Sequence, residues 1–143
     1  MRIATRFDKP AIKEMLRAFR DESGFTELAS VEDSPYLDQL LESILIGQGV
    51  VFFEEGKGML IALMQPSIWD NSIMILHELA WYVLPQYRRS SVGHRLFLAY
   101  MVHGNELKAA GKIKYYTMGK LDSSPNLKYE RYGFRKKDES WIK

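Results

Sequence analysis

The segment Pro85-Gln86-Tyr87-Arg88-Arg89-Ser90-Ser91-Val92-Gly93 stands between a β-rich run and an apolar repeat of helical period. A tight loop feeding a helix presents several unpaired backbone N–H groups at one point, and the helix dipole adds positive potential there. A diphosphate is the natural ligand of such a place. Ser90, Ser91 and Gly93 are small enough to let phosphate oxygens approach the main chain, and Arg88, Arg89 and Arg95 bring charge. The plainer alternative is a helix start with solvated arginines, and the local pattern alone does not separate the two. Upstream, His77 and Glu78 are adjacent titratable residues in the β-rich run. Strand alternation puts Glu78, Ala80 and Tyr82 on one face and His77, Leu79 and Trp81 on the other, so one of the pair would face a cleft beside that strand. The ordinary pKa of histidine suits a base near neutrality, although a lone strand histidine is more often structural.

The elements that must position these residues follow from hydrophobic period and turn chemistry. Arg2–Thr5 reads as a short strand. Asp8 is a cap candidate with Pro10 in the first helical turn, and Ile12, Met15, Leu16 and Phe19 follow at helical spacing. After a loop over 21–33, Ser34-Pro35 signals a second helix carrying Leu37, Leu40, Leu41, Ile44 and Leu45, which Gly47 to Gly49 should end. Strands are expected over Val50–Glu54 and Met59–Met64, joined through Glu55-Gly56-Lys57-Gly58. A third long strand, Ile73–Leu84, follows a turn at Trp69-Asp70-Asn71 and stops at Pro85. Helical period returns from Val92 to about Ala110, with Gly111 as its stop, and Lys114–Met118 is the next strand. Asp122, Ser123 and Ser124 are cap candidates for a short helix starting near Pro125, and Phe134–Ile142 reads as a final strand. The expected order is βααβββαβαβ, in a single domain spanning residues 1–143.

Composition agrees with one packed unit. The 143 residues are 46% hydrophobic and 27% charged, which removes disordered, collagen-like and coiled-coil classes. With no cysteine, the chain has no disulfide, thiolate metal site or cysteine nucleophile. No apolar run approaches the roughly 18 residues of a membrane span and no apolar signal segment opens the sequence, so a soluble, cytoplasmic protein is expected. The net charge of +2 divides into −6 over residues 1–80 and +8 over residues 81–143. A basic half suits nucleic acid or a phosphorylated small cofactor alike. His94 and His103 lack metal-ligand spacing, and no metal site is expected.

The run Arg88-Arg89-Ser90-Ser91-Val92-Gly93 resembles the cofactor loop of the GCN5-related N-acetyltransferases, which follows an Arg/Gln-x-x-Gly-x-Gly/Ala pattern after a bulged strand. Ser91 departs from it by standing where the first glycine would be, and a serine resists positive φ. Tyr129-Glu130-Arg131-Tyr132-Gly133-Phe134 is similar to the Tyr-x-x-x-Gly-Phe ending of that family, whereas Asp122 and Pro125 replace an Asn and an Ala common there. The likeness extends to the element order over nearly the whole chain. It implies an α/β (α+β) fold, a mixed sheet of about six strands flanked by helices, with a cofactor cleft between splayed fourth and fifth strands. It implies acetyl-CoA as cosubstrate, its pantetheine bonded like an extra strand to the backbone of Trp81, Tyr82 and Val83, and its diphosphate held by Arg88, Arg89, Ser90, Ser91, Val92 and Gly93.

Acyl transfer to an amine needs a base, oxyanion stabilisation and a proton for the departing thiolate. Tyr129 matches the family tyrosine that protonates the sulfur, with Tyr132 as a packing residue. Glu78 is the expected base, with His77 or water as alternatives. The 21–33 loop, carrying Phe25, Glu27, Glu32 and Asp33, lies where the family builds an acceptor wall, and a solvated connection is its plainer reading. Trp69 and Trp81 are pocket walls or core. The resemblance thus points to an N-acetyltransferase acting on an amine of a small molecule or protein, and it leaves room for a homodimer. Two other classes stay open: an acyl-CoA-binding protein without turnover, and a nucleic-acid-binding module using the basic half and Lys112–Tyr116.

Overall fold

Alternation in Val50-Val51-Phe52-Phe53 sends Val51 and Phe53 to one side and Val50 and Phe52 to the other, and all four are buried. A strand buried on both faces needs a layer over each. The computed structural model describes residues 1–31 and 34–143 and shows that arrangement. Strands β1 (Arg2–Ile3), β2 (Gly49–Glu54), β3 (Gly58–Pro66), β4 (Met74–Val83) and β5 (Tyr115–Thr117) form one sheet in the order β1-β2-β3-β4-β5. All neighbours are antiparallel except β4 and β5, which are parallel. Helices α1 (Lys9–Glu22) and α2 (Pro35–Ser43) cover one face through Ile12, Met15 and Leu41, packed on Val51, Phe53, Met59, Ile61, Ala80 and Tyr82. Helix α3 (Val92–Ala109) covers the other through Val92, Leu96 and Tyr100, packed on Leu60, Ala62 and Leu76.

The turn chemistry is realised at Glu55-Gly56-Lys57, where Gly56 takes φ +68° and the Lys57 amide donates to Glu54 O at 2.9 Å. Asp8 precedes α1 but does not cap it. Its carboxylate turns back to accept from the Arg2 guanidinium at 2.7 Å and the Thr5 amide at 2.8 Å, tying β1 to the chain that follows. Among the described residues, no helix is long and apolar enough to cross a membrane.

Two expected elements are absent, so the sheet has five strands rather than six. Residues 125–128 form no helix, and short turns close instead from Ser124 N to Leu121 O and from Leu127 N to Pro125 O. Only the single 3₁₀ turn Tyr129–Tyr132 remains of that helix. Phe134–Ile142 forms no strand. Its middle, Arg135 to Glu139, is charged throughout, Lys136 pairs with Glu139 and Lys137 with Asp138, and Trp141 is 89% exposed, so no face exists to bury.

Helix α3 meets β5 at a glycine. A Cβ on Gly104 would lie 2.6 Å from Cδ1 of Tyr116, a ring that also packs edge-on against Tyr100 at 5.5 Å. Gly104→Ala is therefore expected to destabilise the fold by about 1–3 kcal/mol, read as a lower melting temperature, despite alanine's better helix propensity. An unchanged melting temperature would mean the ring moves aside freely.

Candidate functional site

The sheet forks between β4 and β5. Their ladder runs only over Ile75–His77 against Tyr115–Thr117, while β4 continues through Glu78–Val83 with no neighbouring strand on that side among the described residues. Tyr100, fully buried on α3, rivets the fork: its hydroxyl donates to Thr117 O at 2.7 Å. At this point β4 also bulges. Ile61 pairs with Ala80 and Ala62 with Glu78, so Leu79 has no partner on β3. The bulge corrects the faces expected from simple alternation. Ala80 and Tyr82 lie on the α1 side, Trp81 and Val83 on the α3 side, and Glu78, two residues after Leu76, joins the latter. His77 and Glu78 still face opposite ways, but Glu78 now shares a face with Trp81.

Glu78 reaches across the fork. Its Oε2 accepts the Gly119 N–H at 2.9 Å, and a Cβ on Gly119 would stand 3.1 Å from that oxygen. Burial pushes the Glu78 carboxyl up to about 7, although the Gly119 N–H works against the shift. The Tyr129 hydroxyl is pushed up too, first by burial and then by the Glu78 charge, so the two groups feel one another across the fork. The Tyr129 ring is wedged edge-on between Phe97 at 6.1 Å and Phe134 at 6.2 Å, and Tyr132 packs on Phe97 at 5.0 Å. His77, on the opposite face, has Nδ1 3.2 Å from Thr117 Oγ1, and burial followed by the charge of Lys137 lowers its pKa.

The loop after β4 has the geometry that an anion cradle needs, a short connection into a helix start. Ser91 precedes α3 with φ −82°, so no positive φ is needed where the resemblance would put a glycine, and the serine fits without strain. Ser90 Oγ accepts the Val92 N–H at 3.3 Å, but the amides of Ser91, Gly93 and His94 have no acceptor among the described residues. Gly93 lies against the free half of β4: a Cβ there would meet Val83 Cγ2 at 3.5 Å and Trp81 Cζ2 at 3.7 Å. Trp81 itself stacks on Phe97 at 5.4 Å. The cradle and the open edge of β4 are therefore one continuous surface.

The three arginines divide. Arg88 turns away from the helix start: Nε donates to Val83 O at 2.9 Å and its guanidinium pairs with Glu22. Arg95 pairs with Glu54 and donates to Ser91 Oγ. Arg89 is exposed with no partner among the described residues.

Of the residues expected in an acceptor wall, Phe25 and Glu27 lie around the short turn Thr26–Leu28, while Glu32 and Asp33 lie outside the described residues. Trp69, 88% exposed at the β3–β4 tip, walls no pocket. Sequence reasoning missed Glu22, Tyr100 and Gly119, whose partners lie 66, 17 and 41 residues away.

No protein-family model matches the chain, and no curated protein sequence does. Solved structures do match in shape. A GCN5-related N-acetyltransferase from Ralstonia eutropha JMP134 is 22% identical with a TM-score of 0.74, covering 99% of this chain and 95% of that one. A predicted acetyltransferase from Clostridium acetobutylicum, solved with acetyl-CoA, is 17% identical with a TM-score of 0.74, covering 99% and 92%. An aminoglycoside acetyltransferase from an uncultured soil metagenomic sample, in complex with sisomicin, is 15% identical with a TM-score of 0.59, covering 99% and 91%. The fold of this chain is that of the GCN5-related N-acetyltransferases.

Proposed function

We propose that this chain, which has the N-acetyltransferase fold, uses it to move an acetyl group directly from acetyl-CoA to an amine. The observation that carries the reading is the conjunction at the fork: an unpaired strand edge from Glu78 to Val83 running into a helix start with three unsatisfied amides. The first suits an amide-bearing chain such as pantetheine, and the second suits its diphosphate. Trp81, Tyr82 and Val83 offer backbone groups to pantetheine, with the Val83 carbonyl already accepting from Arg88. Ser90, Ser91, Val92 and Gly93 shape the cradle, and Arg89 adds charge. Arg88 supports the loop rather than the phosphates.

The chemistry then falls to two groups on either side of the fork. Glu78, ionised above about pH 7, takes a proton from the attacking amine as the new C–N bond forms. Tyr129, protonated at neutral pH as tyrosines are, gives its proton to the sulfur as the C–S bond breaks. Glu78 is preferred over His77 because the bulge sets Glu78 on the face of Trp81 and Tyr129. The acceptor is an amine of a small molecule or protein, and a cytoplasmic, homodimeric single-domain enzyme is consistent with this activity.

Binding of CoA tests the reading before any acceptor is known. At ligand a hundredfold above its dissociation constant, about 2.7 kcal/mol of stabilisation is expected, a rise of roughly 5–10 °C in melting temperature. Gly93→Leu should remove that rise, because a side chain growing from a Cβ already 3.5 Å from Val83 Cγ2 and 3.7 Å from Trp81 Cζ2 pushes the helix start away from the free half of β4. No shift at millimolar CoA in the wild-type protein would overturn the assignment.

A further inference from the structure

Three elements meet at Glu22, the last residue of α1. Its Oε1 accepts the Tyr82 hydroxyl of β4 at 2.7 Å, and its Oε2 accepts from the guanidinium of Arg88. Arg88 in turn donates through Nε to Val83 O at 2.9 Å, and its guanidinium stands 5.5 Å from the centroid of the Tyr82 ring. Phe19, one turn back on α1, meets the other side of that ring edge-on at 6.1 Å. Every directional group of Arg88 that has a partner is thus used to fasten the chain after Pro85 onto β4 and α1.

We infer that Glu22 is a positioning residue for the cradle, holding the loop that leads into α3 through Arg88 and Tyr82. This rests on the acyl-CoA reading of the site. Two physical points favour it over a purely stabilising ion pair. The Arg88 and Glu22 side chains are 45% and 42% exposed, and a pair so solvated adds little to the stability of a fold. A carboxylate beside an anion site also repels phosphate through the general field, so its presence there is a cost unless its geometry is needed. Burial raises the Glu22 pKa, but the hydrogen bonds from Tyr82 and Arg88 outweigh this and keep the carboxyl ionised, as the clamp requires.

The two effects have opposite signs, which makes a clean experiment. CoA affinity is measured calorimetrically at low and high ionic strength for wild type, Glu22→Gln, Arg88→Met, the Glu22→Gln/Arg88→Met double variant and Arg89→Met. Loss of a negative charge alone would tighten CoA binding. Loss of the clamp is expected to weaken it about 5- to 20-fold in Glu22→Gln and in Arg88→Met, with no further loss in the double variant. The double variant, which removes one charge of each sign, should keep the wild-type dependence on ionic strength, whereas Arg89→Met, which removes an unpaired cation, should flatten it. Tyr82→Phe, which deletes one hydroxyl and leaves the ring, provides the same readout if Glu22→Gln does not fold, and is expected to weaken CoA two- to fivefold. Wild-type or tighter affinity in Glu22→Gln, additive losses in the double variant, or a flattened salt dependence in the double variant would overturn the inference while leaving CoA binding itself intact. Failure of the wild-type protein to bind CoA would instead overturn the acyl-CoA reading.

Discussion

Tyr129→Phe is expected to slow acetyl transfer by about 10² to 10⁴ while leaving CoA affinity and melting temperature near wild type, because it removes a proton donor and little else. The ring owes its place to Phe97 and Phe134, which a phenylalanine would meet equally well. A tyrosine hydroxyl is protonated at neutral pH, and burial, then the charge of Glu78, raise the pKa of Tyr129 further, so it enters the reaction carrying its proton. Slow product release can hide a chemical defect, so the comparison belongs in single-turnover experiments with acyl donors of differing thiol acidity. A better leaving group needs less protonation and should partly rescue the variant. Wild-type single-turnover rates with every donor would make Tyr129 a packing residue and leave protonation of the sulfur to water.

The frame around this chemistry was largely legible because it depends on local period. Ile12 and Met15 at helical spacing, Val50 to Phe53 with two buried faces, and glycine in the 55–58 turn each announce their element without reference to the rest of the chain. The loop into α3 is legible for the same reason, since small residues and arginines before a helical repeat are a local pattern. The final strand was misread on the strength of Phe134, Trp141 and Ile142. Only Phe134 among them finds a packing site, in the aromatic cluster with Phe97 and Tyr116, and the charged residues after it leave the segment unpaired.

What stayed hidden depends on contacts between distant segments. Nothing near Leu79 announces a bulge, for the extra residue is defined only by the register of β3 against β4. That one residue decides whether Glu78 sits with Tyr82 or with Trp81. The difference between the two arginines is hidden for the same reason: Arg88 and Arg89 are adjacent and chemically alike, and only Arg88 pairs with Glu22, on a different element. The donor on Glu78 is a backbone N–H, which every residue except proline possesses, so no residue type could have pointed to Gly119.

Glu78→Gln is expected to produce the other large effect, and in two observables of opposite sign. As a base, Glu78 works only when ionised, so wild-type turnover should rise with pH through about 7, and the glutamine variant should lose 10²-fold or more and that limb of the profile. Stability should move the other way. The carboxyl's ordinary pKa of 4.5 is raised to about 7 by burial in the folded chain, so between those values the folded state binds more protons than the unfolded one. This contribution to wild-type stability is fully present below pH 4.5 and lost as pH rises through 7, about 1–3 kcal/mol after allowance for partial exposure. A glutamine carries no such titration and still offers an oxygen to the Gly119 amide. The variant should therefore melt above wild type at pH 8 and level with it at pH 4, the signature of a charge kept at a site for function against the interest of the fold. Retained turnover with an unchanged pH profile would pass the base to His77 or water. Equal melting temperatures at pH 8 would show that the carboxylate is as well solvated at the fork as it is in the unfolded chain, removing the reason its pKa lies where a base needs it.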